Sequence, residues 1–315
     1  MLNSEIDRWF TRSPSAAHVQ TVEFRGDTFQ VEILDFLDAS AGHYTHSFGT
    51  QWGKYRHVQI DRFNGTRASY NHLRYFTQGD PEILRGRTIL EIGSGAGRFT
   101  DYLVDLGSRV LSVDPSAIGF NVALGAPNLI PIRADLFDVP VRREEIDVVF
   151  CRGVTQHTAD TKRAIQRLFD YVRPGGLVLF DVYHFKWFTP FCAKYWVRPV
   201  TRRIPTDKFI SIAEKWVPRL LWFKHSVVKP LLPAGRLGTN IANQIIPVAD
   251  FTEADEHGSG ERQIQWSILD TVDMYTPRYD RPMSWNGVMK ALRGVGARDI
   301  VGDRASFCFR ATAAD

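Results

Sequence analysis

The chain has 315 residues, of which 44% are hydrophobic and 23% charged, and its 39 Lys and Arg against 35 Asp and Glu give a formal net charge of +4. These values are ordinary for a soluble globular protein with one large domain, or one domain with an insertion. The N-terminus lacks the features of a secretory signal, no apolar run approaches the roughly 18 residues of a membrane span, and Cys151, Cys192 and Cys308 form neither a zinc pattern nor a disulfide framework. We therefore expect a cytoplasmic protein without a metal site.

The N-terminal part of the chain contains two features. Apolar and polar residues alternate over 21–34, which predicts a small β-hairpin. Residues 47–52 then combine aromatic and amide side chains. Either Phe48 and Trp52 attach an N-terminal arm to the core, or the arm is a lid whose Gln51 and Trp52 touch a bound cofactor or substrate.

Predicted strands and helices alternate regularly from residue 86 onward. The helical patterns are clearest at 99–106 and 160–171. Alternation of this kind indicates an α/β fold with a parallel, doubly wound sheet that helices cover on both faces. The predicted strands are short and apolar, at 88–92, 109–113, 129–133, 146–151 and 177–182.

A glycine turn follows the first of these strands. Gly93, Gly95 and Gly97 let the backbone pass close to a ligand, and the helix behind them directs free N–H groups toward the same space. Asp114 ends the second strand, where a carboxylate can accept hydrogen bonds from ribose hydroxyls. The pattern predicts a pocket for a nucleoside that carries an anionic or strongly polar group.

The alternation stops after residue 182. Residues 183–240 carry eleven Lys and Arg but only Asp207 and Glu214, a local net charge of +9 that leaves −5 for the rest of the chain. This segment is also rich in aromatic residues, and 209–223 has helical spacing that Pro218 is expected to kink. It is either a cap packed over an active site or a peripheral contact with the inner face of a membrane.

The C-terminal part becomes regular again after an acidic loop. That loop, 253–257, has the residue types of a metal site, although carboxylate clusters of this kind are usually solvated. Residues 284–293 predict a helix that glycines end. Residues 298–301 and 306–310 predict a terminal antiparallel hairpin.

Five motifs, in order, resemble those of small-molecule class I S-adenosylmethionine-dependent methyltransferases. The glycines at 93–97, with Glu91 before them, resemble motif I of this family, whereas a dinucleotide fingerprint places its third glycine elsewhere. The other four are Asp114 as the ribose-binding acid, 134–136 with the acid on the adenine amino group, 150–158 after the fourth strand, and the helix-to-strand turn 172–176.

The resemblance implies a Rossmann-like seven-stranded sheet with a C-terminal antiparallel hairpin, and S-adenosyl-L-methionine as the cofactor, with S-adenosyl-L-homocysteine as its product. The expected division is an N-terminal arm at 1–80, a cofactor-binding core at 81–182, a basic aromatic cap at 183–262 and the C-terminal part of the core at 263–315. The cofactor-binding residues that it implies are Gln51, Trp52, Glu91, Gly93, Ser94, Gly95, Gly97, Arg98, Asp114, Pro115, Asp135, Leu136 and Arg152.

Methyl transfer from a sulfonium depends mainly on in-line alignment, and a hydroxyl acceptor also benefits from a general base. His157, just past the fourth strand, is a candidate base, or it only orders its loop. Tyr183 and His184, just past the fifth strand, are alternative catalytic residues. Tyr275 and Tyr279 are candidate substrate contacts, or parts of a packed aromatic connection.

The expected function is O-methylation of a hydroxyl on a sugar or similar polar small molecule, free or linked to a carrier. A looser likeness of 47–52, 153–158 and 266–271 to bacterial methyltransferases of glycan or secondary-metabolite assembly indicates this substrate class. The alternatives are a natural-product O-, N- or C-methyltransferase, and a non-catalytic module that binds membranes or RNA. A nucleic acid substrate is not expected, because 151–154 lacks the Asn/Asp-Pro-Pro-aromatic segment of DNA amino methyltransferases.

Overall fold

The computed structural model describes residues 8–37, 46–254 and 257–315, apart from the side chains of His46 and Arg236. These residues form two compact units. The first unit comprises the described parts of Met1–His46, together with Ser69–Phe185 and Tyr279–Asp315. The second unit comprises Ser47–Ala68 and Lys186–Arg278.

The first unit is built on a mixed sheet whose strands lie in the order β1-β2-β5-β4-β3-β6-β7-β9-β8. The central strands, from β2 to β7 in this order, are parallel, and the hairpins β1–β2 and β8–β9 close the two edges. The strands are β1 Ala16–Phe24, β2 Asp27–Asp35, β3 Thr88–Ile92, β4 Arg109–Val113, β5 Leu129–Arg133, β6 Val148–Cys151, β7 Leu177–Asp181, β8 Arg298–Gly302 and β9 Cys308–Thr312.

Helices α3, α4, α5 and α10 cover this sheet in the first unit, and the others lie in the second unit. The α-helices in chain order are α1 His46–Tyr55, α2 Asp61–Asn64, α3 Ala68–Phe76, α4 Thr100–Asp105, α5 Thr161–Asp170, α6 Ala193–Thr201, α7 Thr206–Phe223, α8 Arg236–Ile245, α9 Glu261–Tyr275 and α10 Trp285–Gly294.

The core of the first unit has two layers, one on each face of the sheet. Leu90 and Ile92 of β3 pack in the layer that holds the apolar sides of α5 and α10. Ile89, between them, packs in the layer that holds α3 and α4. Successive side chains of a strand point to opposite faces, so a strand covered on both faces is apolar throughout. This explains why the central strands could be read from short apolar runs, and the predicted α/β architecture is confirmed.

The N-terminal hairpin is longer than predicted and joins the sheet. Its second strand pairs in parallel with β5 through Leu34–Ile132 and Asp35–Arg133. The sheet therefore has nine strands among the described residues rather than the seven expected from the family resemblance. The last strand also begins later than predicted, at Cys308, because the Asp303 carboxylate accepts hydrogen bonds from the N–H groups of Ala305 and Ser306 and holds them in a turn.

The second unit is helical. α7 continues past Pro218 to Phe223 and is followed by a π-helical turn at Lys224–Val228. Its buried residues, such as Val217 and Leu221, share one hydrophobic cluster with Leu269 of α9. This packing places α9 in the second unit, so the structural division differs at 263–278 from the one predicted, as it does at 47–68.

Two observations concern membranes and metals. No described helix has the length and hydropathy of a membrane-spanning segment. In the acidic loop, Asp255 and Glu256 lie outside the described residues, and the rest of the described chain contains no group of three side chains that could hold a metal ion.

Candidate cofactor-binding site

The glycine turn connects the end of β3 to α4 and lies against the end of β4. The N–H groups of Gly93 and Ser94 both donate to the carbonyl of Val113, at 2.7 and 3.1 Å. Gly93, Gly95 and Gly97 have φ angles of 76°, 54° and 88°, a region that favours glycine. The turn is therefore fixed by β4 and by backbone angles that other residues rarely adopt.

Close neighbours also require glycine at two of these positions. A Cβ on Gly93 would lie 2.1 Å from Cγ2 of Val154, and one on Gly97 would lie 2.2 Å from Oδ1 of Asn121. These distances are far below van der Waals contact. The loop after β6 and the loop after β4 thus press directly on the glycine turn.

Glu91, near the end of β3, is part of a buried hydrogen-bond network next to the turn. Its Oε2 accepts a hydrogen bond from the Thr100 hydroxyl at 2.5 Å and lies 3.5 Å from the Ser112 hydroxyl. Asn121 extends the network by donating from Nδ2 to the hydroxyl oxygens of Thr100 and Ser112. Burial raises the pKa of Glu91 to about 7, against the opposing effect of these hydrogen bonds. The described contacts of Glu91 are with protein groups, so its contribution to the site is to hold β3, β4 and α4 together.

The raised pKa makes stability depend on pH. The folded state binds a proton at Glu91 that the unfolded chain, with a reference value of 4.5, has released. This contribution is fully present below pH 4.5 and is lost as the pH rises through 7, with a size on the order of 3 kcal/mol. Glu91→Gln cannot ionise, so we expect its free energy of unfolding, relative to wild type, to increase between pH 4.5 and 7.5. Urea unfolding at several pH values measures this difference, and a difference that stays constant would contradict the assignment.

Asp114 connects the glycine turn to the loop after β4. Its Oδ2 accepts from the N–H of Gly95 at 3.0 Å, and its Oδ1 accepts from the N–H groups of Ser116 and Ala117 at 2.9 and 2.6 Å. Burial raises the pKa of Asp114, and the three N–H groups oppose this effect. The carboxylate is thus held in one orientation at the carboxyl end of β4, where parallel α/β sheets bind their ligands.

The other residues implied near the nucleoside have varied environments. Asp135 caps a short 3₁₀ helix by accepting from the N–H of Phe137, while the Leu136 side chain belongs to the core. Arg98 donates from Nε to the Ser69 hydroxyl at 2.9 Å, so α3 helps to orient it. The Pro115 carbonyl accepts from Arg133. Their roles in cofactor binding stay predictions.

The loop after β6 is held by an acid that sequence reasoning did not single out. Asp181, at the end of β7, accepts from the N–H of Gly153 at 2.6 Å and lies 3.1 Å from Nη1 of Arg152. Gly153 has a φ of 73°, and nothing lies within 4 Å of where its Cβ would be. The backbone at Gly153 therefore borders open space. An acid that ends an apolar strand, as Asp114 does, was the available signal for Asp181.

His157 lies in the 3₁₀ turn that follows. It is buried, and its Nδ1 is 3.1 Å from the carbonyl oxygen of Tyr279. Its ring meets that of Tyr183 edge to face, with centroids 5.4 Å apart. A neutral imidazole that donates Nδ1–H to this carbonyl carries its lone pair on Nε2. The structure therefore brings three predicted residues, His157, Tyr183 and Tyr279, into one cluster of the first unit.

The remaining predicted residues have other described contacts. The ring of His184 stacks on Phe307, with centroids 3.9 Å apart. In the second unit, Gln51 donates from Nε2 to the carbonyl of Leu269, and Trp52 packs against the hydrophobic cluster of that unit. The Tyr275 hydroxyl donates to the carbonyl of Pro247, and burial raises the pKa of Tyr275 to about 12. These contacts account for the position of Tyr275 in a packed core.

The first unit has the features that S-adenosylmethionine requires. The Ser94 hydroxyl is buried and, among the described residues, has no hydrogen-bond partner, so it can bind a polar group of a ligand. Asp114 has a fixed carboxylate and Asp135 a partly exposed one, as expected of the acids predicted to bind the ribose hydroxyls and the adenine amino group. The donors and acceptors present at the carboxyl ends of β3, β4 and β5 fit this cofactor.

Comparisons with known proteins agree with this geometry. Residues 90–180 match a protein family described as a methyltransferase domain. An uncharacterized methyltransferase of Mycobacteroides abscessus is 29% identical over 140 residues, which are 42% of this chain and 53% of that protein. A ubiquinone biosynthesis O-methyltransferase of a Methylobacterium species is 32% identical over 129 residues, 38% of this chain and 51% of that protein. The chain thus spans about half the length of these curated relatives.

Among solved structures, an S-adenosylmethionine-dependent methyltransferase from Aquifex aeolicus aligns with 77% of this chain and 92% of its own, with a TM-score of 0.38 and 14% identity. The matched residues 90–180 contain the glycine turn, Asp114 and the loop after β6. This segment of the chain is therefore similar to a methyltransferase domain, in agreement with the resemblance of its motifs to class I S-adenosylmethionine-dependent methyltransferases. The cofactor implied by the sequence motifs and by this match is S-adenosylmethionine.

Proposed function

We propose that the chain is a methyltransferase that transfers a methyl group from S-adenosylmethionine to a hydroxyl of a polar small molecule, with a sugar as the expected acceptor. The observation that carries this proposal is the glycine turn, where the buried Ser94 hydroxyl has no hydrogen-bond partner in the described part of the chain and the carboxylate of Asp114 is held by the N–H of Gly95. The cofactor supplies a methyl group that its sulfonium already activates.

The proposed work of the protein is positioning and proton transfer. The backbone at residues 93–97 and the carboxylate of Asp114 hold the cofactor in place. The remaining requirement for transfer is that the acceptor oxygen lies in line with the methyl group and the sulfur. His157 accepts the hydroxyl proton at Nε2, while its Nδ1 is held by the Tyr279 carbonyl. Tyr279 is proposed to contact the acceptor.

The name of one relative supports oxygen as the atom that is methylated. One of them is named a ubiquinone biosynthesis O-methyltransferase, which supports a hydroxyl as the acceptor. A phenol loses its proton more readily than a sugar hydroxyl, so a phenolic acceptor would depend less on a base. The acceptor class can therefore be separated by comparing the two.

The direct experiment measures transfer of a tritiated methyl group from S-adenosylmethionine to methyl glucoside and, in parallel, to catechol. We expect transfer to the sugar hydroxyl. Transfer to catechol alone would replace the sugar by a phenol as the acceptor. S-adenosylhomocysteine binding without transfer to either would contradict the proposed acceptors while leaving the domain assignment intact.

The role of His157 is tested by comparing His157→Ala with His184→Ala. Loss of a general base lowers kcat by about a hundredfold or more, so we expect that loss for His157→Ala with little change in cofactor affinity. His184→Ala removes a ring that stacks on Phe307 and is expected to lower stability while retaining most of kcat. Equal kcat values for the two variants would remove His157 from the proton transfer.

A further inference from the structure

We infer that the second unit binds the surface of an anionic lipid bilayer through the outer face of α7 and the apolar segment around α6. This inference is independent of the proposed activity, since it rests on exposed side chains of the second unit and on their charge.

The outer face of α7 exposes large apolar residues that the second unit leaves uncovered. Trp216 and Trp222 are 49% and 66% exposed, and Ile212 and Phe223 are also exposed. Ile212, Trp216 and Phe223 are separated by four and seven positions, so they lie along one side of an 18-residue helix, and Trp222 adjoins Phe223. The opposite side, which includes Val217, is buried in the hydrophobic cluster of the second unit. α7 thus carries apolar residues on both sides, and among the described residues only the side with Val217 is buried.

Basic residues interleave with these apolar residues on the same outer face. Lys208, Lys215 and Arg219 are exposed, and the Arg219 guanidinium lies 5.5 Å from the centroid of the Trp216 ring. Of the two acids of the 183–240 segment, Glu214 does not neutralise this face because it pairs with Lys54, which leaves Asp207 against three basic residues. Trp and Phe beside Lys and Arg form the combination that settles at the headgroup level of anionic membranes.

The segment before and within α6 repeats this pattern. Trp187 and Trp196 are 82% and 71% exposed, and Phe191 and Val200 are exposed as well. Trp196 donates from Nε1 to the Pro190 carbonyl, which joins α6 to the turn before it. Four large apolar side chains exposed within 14 residues are typical of a surface that binds a partner.

The same observations argue against two other occupants. A symmetric contact between two copies would bring Lys208, Lys215 and Arg219 against the same residues of the second copy, with repulsion at its centre. A single-stranded nucleic acid would use the basic and aromatic residues, but it has no stacking use for the exposed aliphatic side chains of Ile212 and Val200. A bilayer accommodates all three kinds of side chain.

Co-sedimentation with vesicles of phosphatidylcholine, with and without phosphatidylglycerol, tests the inference. We expect binding only to the anionic vesicles, weakening at high salt, together with a blue shift of tryptophan fluorescence. The absence of binding to the anionic vesicles at low salt would overturn the inference. So would RNA co-sedimentation without vesicle binding, or a dimer that protects the tryptophans from a quencher without vesicle binding.

Paired variants assign the binding to these faces. Reversing the charges of Lys208, Lys215 and Arg219 to Glu is expected to weaken vesicle binding by about a hundredfold or more. The matched control reverses the exposed basic residues Lys162, Lys290 and Arg293 of the first unit and is expected to leave most of the binding.

The apolar contribution is tested in the same way. Trp216→Ser with Trp222→Ser is expected to weaken binding by about tenfold or more, and Tyr75→Ser, which removes an exposed aromatic residue of the first unit, is the control. Circular dichroism spectra and S-adenosylhomocysteine affinity confirm that each variant is folded. Equal losses in a folded variant and its control would overturn the assignment.

Discussion

Asp114→Asn is expected to weaken the binding of S-adenosylhomocysteine by about a hundredfold or more. Both carboxylate oxygens of Asp114 accept backbone N–H groups, Oδ2 from Gly95 and Oδ1 from Ser116 and Ala117. The amide of Asn has only one acceptor oxygen, so in either orientation its NH₂ group would face a backbone N–H. The variant therefore loses the charge-assisted acceptor that we propose for the ribose, and it also disturbs the glycine turn. Each hydrogen bond to a charged group contributes about 1.5–3 kcal/mol.

Titration calorimetry on Asp114→Asn and wild type measures this effect. Asp138→Asn is the control, because Asp138 is an exposed carboxylate that pairs with Arg12 and lies outside the network of the glycine turn. Thermal unfolding separates loss of affinity from loss of fold. A folded Asp114→Asn variant with wild-type affinity would remove Asp114 from the cofactor site.

Gly93→Ala is expected to destabilise the first unit by about 2–5 kcal/mol. An alanine at this position would have to adopt a φ of 76°, which costs about 1–2 kcal/mol. Its Cβ would also lie 2.1 Å from Val154 Cγ2, and this overpacking adds about 1–3 kcal/mol. Displacement of Val154 would also move the loop after β6, so cofactor affinity falls as well.

Gly107→Ala isolates the steric part of this cost. Gly107 has a φ of 72° but nothing within 4 Å of its Cβ position, so it carries only the conformational penalty. We expect chemical denaturation to give a clearly larger loss of unfolding free energy for Gly93→Ala than for Gly107→Ala. Equal losses for the two variants would show that Val154 yields at no cost and would contradict the tight contact.

The central architecture could be predicted because its signals are local. Each central strand is an apolar run covered on both faces, and Gly93, Gly95 and Gly97 mark a turn that has no other residue choice. The addition of β2 to the sheet depends instead on the pairing of Leu34 with Ile132, which are almost a hundred positions apart. No local pattern encodes that contact, so the hairpin was predicted but its place in the sheet was not.

The candidate site divides in the same way. Asp114 could be singled out because it ends a strand at a fixed distance from the glycines, and in the structure its carboxylate accepts from the N–H of Gly95; its ligand-binding role stays a prediction. Asn121 could not be predicted, because a single Asn in a loop does not indicate that its side chain donates to the hydroxyls of Thr100 and Ser112 and lies close to Gly97. The sequence likewise shows only that an acid precedes the turn. The structure adds that Glu91 is buried and hydrogen-bonded to protein groups.

Titration of the wild-type chain with S-adenosylhomocysteine, and separately with NAD⁺, tests the central claim most directly. The position of the third glycine, the orientation of Asp114 and the unpartnered Ser94 hydroxyl predict saturable binding of S-adenosylhomocysteine and no detectable heat from the dinucleotide. Binding of NAD⁺, or no binding of S-adenosylhomocysteine at millimolar concentration, would contradict the assignment of this site.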